Sequence, residues 1–299
     1  MFGAHWRGEA GDARASPSVV TPTSKDPRLT DEHAQRLETF ATRRRDAALS
    51  PQGSLTLVNT HWVTEPAEVW GAPGRWSPRS DGGSGLLVHA SADDGITIDG
   101  TLVDGEALVR GKDDPEPSDI RFSDTVTATV ISGPEGYGLR VFDQNSDDAT
   151  RFSHIDRYDY DPAWVIRARW EEIPGGSLMG FQHLKDDGHA RDEVVPGDIV
   201  MEYGGETYTL SAFKAGKALQ LVFADATSGV DTYSVGRFLF LAPNPDGTIT
   251  LDFNYAVLPP CAFSYQYNCP LPPKNNRLPF AITVGEKMVM AGDGPLHPE

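Results

Sequence analysis

The chain has 299 residues, with 43 acidic against 26 basic side chains and a formal net charge of −17. That balance excludes nucleic acid and an anionic membrane surface as partners, because both reward basic patches. A hydrophobic content of 39% supports packed cores, and 30 Gly with 23 Pro favour short strands and turns over helices.

Residues 1–28 carry Gly, Ala, Ser, Thr and Pro without periodicity and read as a disordered tail. They lack the apolar core of a secretory signal, and no run in the chain approaches the roughly 18 apolar residues of a membrane helix. A cytoplasmic location is therefore expected, where two cysteines are more often thiols than a disulfide. A helix is predicted over 29–53. Thr30 is its expected N-cap, Asp31 and Glu32 lie in the first turn, and the helix itself runs to about Leu49 before Ser50–Gly53 ends it. Leu37, Phe40, Ala41, Ala48 and Leu49 supply its apolar stripe, and Arg43–Arg45 face solvent.

From 54 to 150 the pattern is short strands broken by turns, from LTLVNTHWV to YGLRVFD, and a compact β-sandwich is expected. Asp94-Gly95, Asp99-Gly100 and Asp104-Gly105 recur every five residues as candidate hairpin turns. The stretch GAPGRWSPRSDGG offers Arg75, Ser77, Arg79 and Ser80 as possible contacts to a phosphopeptide. A second unit over 151–290 opens with the turn Tyr158–Pro162 and the strand WVIRARW. A polar, Gly-rich loop is expected at 174–193, with His183 and His189 solvated in it. An antiparallel meander follows, likewise a barrel or curled sandwich. Residues 291–299 read as a tail.

The meander leads into LDFNYAVLPPCAFSYQYNCPLPPKNNRLPFAITVGE, residues 251–286, which hold both cysteines. Asp252 and Asn254 alternate with Leu251 and Phe253 as a strand end. Pro259 and Pro260 then stop the ladder, having no N–H to donate, and Phe280–Val284 reads as a closing strand. Together with DATSGVDTYSVGRFL (225–239), this stretch resembles the signature of domain-of-unknown-function family 1684, found in bacteria and archaea. The likeness extends upstream through YDYDPAWVIRARW and PQGSLTLVNTHWV. The resemblance implies a forkhead-associated-like sandwich followed by a β-rich unit, and it brings no established activity.

The fold class expected is thus mainly β: an N-terminal helix, a forkhead-associated-like β-sandwich, then an antiparallel β-barrel or sandwich. Arg237 sits in a strongly apolar strand and needs a carboxylate if buried, with Asp225 and Asp252 as candidate partners. One reading is a structural network pinning the Pro-rich segment. The other is a pocket in which Arg237, with Thr227, Tyr233 and Asn276, binds an anionic group. In that pocket catalysis of a hydrolytic kind would draw on Asp225, Arg237, Asp252, Asn254, Cys261 and Asn276. Cys261 and Cys269 match neither a redox CxxC nor a zinc-ribbon spacing and read as two buried thiols or an occasional disulfide. His154 and Asp156 share a strand face, with Asp159 and Asp161 nearby, and are the candidates for a metal. A flavin-type split barrel would rest on the meander alone. No phosphate-cradling motif accompanies it, and no cofactor is expected. The leading expectation is a binding or structural module for an unknown small molecule or protein, as monomer or homodimer.

Overall fold

The computed structural model describes residues 27–298. Its helix spans Pro27–Ala48 and opens on a proline whose fixed φ suits a first helical turn. Thr30 is therefore helical rather than a cap. The tail expected over 1–28 gives its last two residues to the helix and otherwise lies outside the described residues. Leu37, Phe40, Ala41 and Ala48 turn inward at intervals of three, one and seven residues, but Leu49 is 39% exposed. The inward row also takes Arg44, which was expected to face solvent.

A sandwich follows. A six-stranded sheet runs in the order Leu57–Trp62, Gly136–Asp143, Val126–Gly133, Ile120–Arg121, Thr97–Ile98, Thr101–Leu102. It faces a four-stranded sheet of Ala67–Val69, Ala72–Pro78, Leu86–Ala90 and Gly105–Val109. Alternation fills the space between them with Trp76, Leu86, Val88, Ile96, Val109, Ile120, Leu139 and Val141, each with no more than traces of exposure. Of the three Asp-Gly pairs only one closes a hairpin: Asp99 and Gly100, at φ 51° and 78°, connect Thr97–Ile98 to Thr101–Leu102. Gly95 instead terminates a single 3₁₀ turn, and Gly105 begins a strand.

The second unit is an antiparallel six-stranded sheet. Its order is Arg237–Leu241, Ala218–Phe223, Glu206–Ala215, Ala190–Tyr203, Val165–Gln182, Thr248–Asp252. It curls until a bridge between Pro243 and Ile249 joins its two ends, around a core of Ile199, Met201, Leu210, Leu221, Phe223, Leu251 and Phe253. The loop expected at 174–193 is mostly ribbon here, since Ser177–Gln182 pairs in register with Ala190–Val195. Pro174, Gly175 and Gly176 fall in the register shift between Glu172 and Ser177, and both glycines have positive φ. That bulge breaks the sequence pattern without ending the strand. A three-stranded sheet of His154–Arg157, Glu286–Ala291 and Gly294–Pro295 completes the unit. The expected tail at 291–299 therefore contains a strand, and Leu296 is 1% exposed.

Between Asp252 and Glu286 the chain has almost no ladder. It is shaped by 3₁₀ turns at Phe253–Tyr255, Pro260–Ala262 and Lys274–Asn276. Phe280–Val284 is not a strand; pairing resumes only at Glu286–Ala291.

Candidate functional site

Without a ladder, the Asp252–Glu286 segment must satisfy its backbone through side chains. Arg237 supplies much of this. It enters its strand from Gly236, at φ +99°, where a Cβ would lie 2.3 Å from the Phe223 carbonyl oxygen, so that only glycine fits. The Arg237 side chain is wholly buried. Its Nη2 donates to Asp225 Oδ2 at 2.7 Å and to the Ile282 carbonyl at 2.8 Å, and its Nη1 to the Val284 carbonyl at 2.5 Å. The guanidinium lies over the Phe223 ring, 5.3 Å from its centre. Asp225 Oδ1 accepts from the Thr227 amide, the Thr227 hydroxyl and the Ile282 amide. The expected closing strand fails for this reason: its carbonyls and an amide are taken by one ion pair.

Asp225 is thus the partner of Arg237, and Asp252 is not. The strand ending at Asp252 pairs with Val165–Gln182, and its carboxylate is turned to Asn254 rather than to the guanidinium. Asp252 Oδ1 instead accepts from the Asn254 amide and side chain, at 3.1 and 2.9 Å. Burial pushes its carboxyl above the usual range, the two Asn254 hydrogen bonds only partly opposing this.

Two buried asparagines act alike. Asn254 donates to the Asp161 carbonyl and accepts from the Asp161 amide, at 3.0 and 2.9 Å. Asn276 accepts from the Ser211 amide at 2.9 Å and donates to the Ser211 and Val222 carbonyls, each at 2.8 Å. Each amide side chain reads both backbone groups of one distant residue, as a β-bridge partner would.

Thr227 and Tyr233, proposed as ligand contacts from the sequence, are also buried. The Thr227 hydroxyl is shared with Asp225 and Thr232, and Tyr233 Oη donates to the Cys261 carbonyl at 3.2 Å. Cys261 and Cys269 are free buried thiols, and the Cys261 amide donates to Cys269 Sγ at 3.3 Å. Their mutual hydrogen bond holds Cys261 below the ordinary thiol range. The same contact, with burial, pushes Cys269 up, so the pair shares protons as a unit. At 1% exposure Cys261 is closed to substrate.

Sequence reasoning missed a clamp. Arg44 Nε and Nη2 donate to Glu286 at 2.8 and 3.0 Å, while Glu286 Oε2 accepts from the Leu258 amide at 2.7 Å. The helix is thereby fixed on the proline-rich segment. The signal was present in the GEK that ends the signature, but an arginine within a basic run gave no hint that it turned inward.

The remaining candidates lie apart. Asp156 pairs with Lys287 at 2.7 Å, His154 is exposed beside Ser153, and Asp161 caps Ala163. Among the described residues no group of three potential metal ligands forms. Arg75 and Ser77 lie in a strand rather than a loop, and Arg79 is held by Asp81 and the Ser84 carbonyl. A cleft of about 180 Å³ separates helix from strand, lined by Glu38, Thr42, Arg45, His154, Arg157 and Glu286. It is smaller than the roughly 300 Å³ at which small-molecule sites begin.

The sequence model of a family described as "Protein of unknown function (DUF1684)" matches residues 150–287, which span most of the second unit. Among solved structures, the solution NMR structure of an uncharacterized protein of Haloarcula marismortui is 31% identical. That match covers 46% of this chain and 78% of that one, with a TM-score of 0.39. No curated protein matches.

Proposed function

Because the chain belongs to the DUF1684 family, whose function is unknown, we propose that its signature segment is a keystone rather than an active site, and that the protein is a non-catalytic structural or binding module. One observation carries the reading: apart from the unpaired Arg237 Nε, the hydrogen bonds of the polar signature residues described above go to the protein itself. Arg237 is 0% exposed and spans Asp225 and two carbonyls of the segment, and Asn276 and Asn254 staple it to other elements. A catalytic arginine or carboxylate needs a face open to substrate.

The segment joins three bodies. Glu286 takes the helix through Arg44. Ser264 Oγ donates to the Leu57 carbonyl at 2.8 Å, and Gln266 Oε1 accepts from the Thr60 amide at 3.2 Å, fixing the sandwich edge. The Leu184 amide donates to the Cys269 carbonyl at 3.0 Å, fixing the ribbon tip. The test is Arg237→Met beside Asp225→Leu and the double variant, followed by urea denaturation. A keystone requires each single change to destabilise strongly and the double change to recover much of the loss. An enzyme site around Asp225, Arg237, Asp252, Asn254 and the Cys261–Cys269 turn would instead leave Asp225→Asn folded at near-native stability.

A further inference from the structure

Arg140 faces away from the sandwich core, since its neighbours Leu139 and Val141 are both fully buried in that core. Its direct cross-strand partners are Thr60 on one side and Thr129 on the other, so their Cβ atoms stand about 4.5–5.5 Å away on the same face. Thr127 lies two residues from Thr129 and shares that face. The Tyr267 ring, from the Cys261–Cys269 turn, covers the Arg140 guanidinium at 5.0 Å. The Lys112 amide donates to the Val130 carbonyl at 2.9 Å, and the exposed Lys112 side chain lies within reach of the Arg140 charge.

These groups share an unfilled demand. Thr127 and Thr129 are 4% and 6% exposed. Among the described residues their hydroxyls, that of Thr60 and Arg140 Nε are buried without a hydrogen-bond partner. A buried unpaired hydroxyl costs about 1–3 kcal/mol, and here two of the three flank Arg140 directly while the third, Thr127, lies opposite Phe142 on the same face. Burial lowers the Arg140 guanidinium, with Tyr267 and Cys269 only partly opposing it, and burial and the Arg140 charge lower Lys112. A half-sequestered guanidinium with an unpaired Nε gains from an anion brought in from solution.

We propose that this seam between sandwich and signature turn binds a phosphate-type oxyanion, free or carried on a small molecule. Arg140 and Lys112 supply the charge, and the Thr60, Thr127 and Thr129 hydroxyls supply neutral donors. A tetrahedral anion held on Arg140 offers acceptors in several directions, so that it can also take hydroxyls flanking the guanidinium. The site goes beyond the keystone reading and stands on other residues, so a failure here leaves that reading untouched.

The experiment is calorimetric and thermal titration of the whole chain with inorganic phosphate, with chloride at matched ionic strength as control. Methyl phosphate and acetate are run in parallel. Saturable phosphate binding is expected, weakened at least about tenfold in Lys112→Gln and in Arg140→Gln. Thr129→Val separates a binding role from a structural one. Without phosphate it should melt higher than wild type, a buried orphan hydroxyl having been removed, yet bind phosphate more weakly. Methyl phosphate binding as tightly as phosphate assigns the site to a carried group; phosphate alone assigns it to the free ion. No saturable binding by the wild type overturns the proposal. So does acetate or chloride matching phosphate, or full affinity in Lys112→Gln.

Discussion

Arg237 and Asp225 form an ion pair with both side chains at 0% exposure, where removing one partner strands a charge in a medium that cannot solvate it. Arg237→Met is expected to cost about 3–5 kcal/mol, read as a lower urea midpoint with unchanged slope. Joining it to Asp225→Leu should regain much of that, because two apolar groups need no solvation. If the double variant is as unstable as the sum of the singles, the pair is not coupled. Asp252 behaves oppositely. Its folded carboxyl lies above its unfolded value because burial opposes the charge, so its ionisation disfavours folding at neutral pH. That penalty disappears as pH falls through the folded and then the unfolded value. Asp252→Asn should therefore melt at or above wild type at pH 7, with the difference gone below about pH 3.9. A marked loss of melting temperature at pH 7 would contradict this. The need of Arg237 for a carboxylate was legible, since an arginine between apolar residues must be neutralised. Which carboxylate was not, because sheet order is a long-range property that local alternation does not carry.

At the scale of elements, much of the segment's hold comes from side chains that imitate backbone. Asn276→Ala removes three buried hydrogen bonds and leaves the Ser211 amide unpaired. Hydrogen exchange at Ser211 should accelerate by an order of magnitude or more, given about 1–3 kcal/mol per stranded group. Unchanged protection would mean that the turn is held some other way. Arg44→Ala should free the helix, making Pro27–Ala48 sensitive to protease while the curled sheet stays protected. The helix was legible from its apolar spacing, and the sandwich strands from their alternation. The ribbon at 174–193 was not, because a two-stranded extension wets most of its surface: Phe181 and Val195 are buried in it, whereas Leu178 is 70% exposed. The false strand at Phe280–Val284 has the mirror-image cause. Its apolar residues are buried, but its backbone bonds go to Arg237 and Asp225.

For the whole molecule, one short turn links bodies with separate cores. Ser264, Gln266 and Tyr267 all lie between the two cysteines and all reach the sandwich. Tyr267→Ala should uncouple the halves, so that calorimetry records two transitions where wild type gives one. A single transition in the variant would place the coupling elsewhere. That two units meet across a Pro-rich segment was readable from its position, but the atoms of the meeting were not.

Leu57–Trp62 is the outermost strand of its sheet, and such a border invites any passing extended chain to dock along it. Gln266 occupies the Thr60 amide with its own side chain. A truncated chain ending before Leu251, such as proteolysis or premature termination would yield, would keep the sandwich and lose this cover. The severed half would then carry a naked border able to template its own copies into fibres.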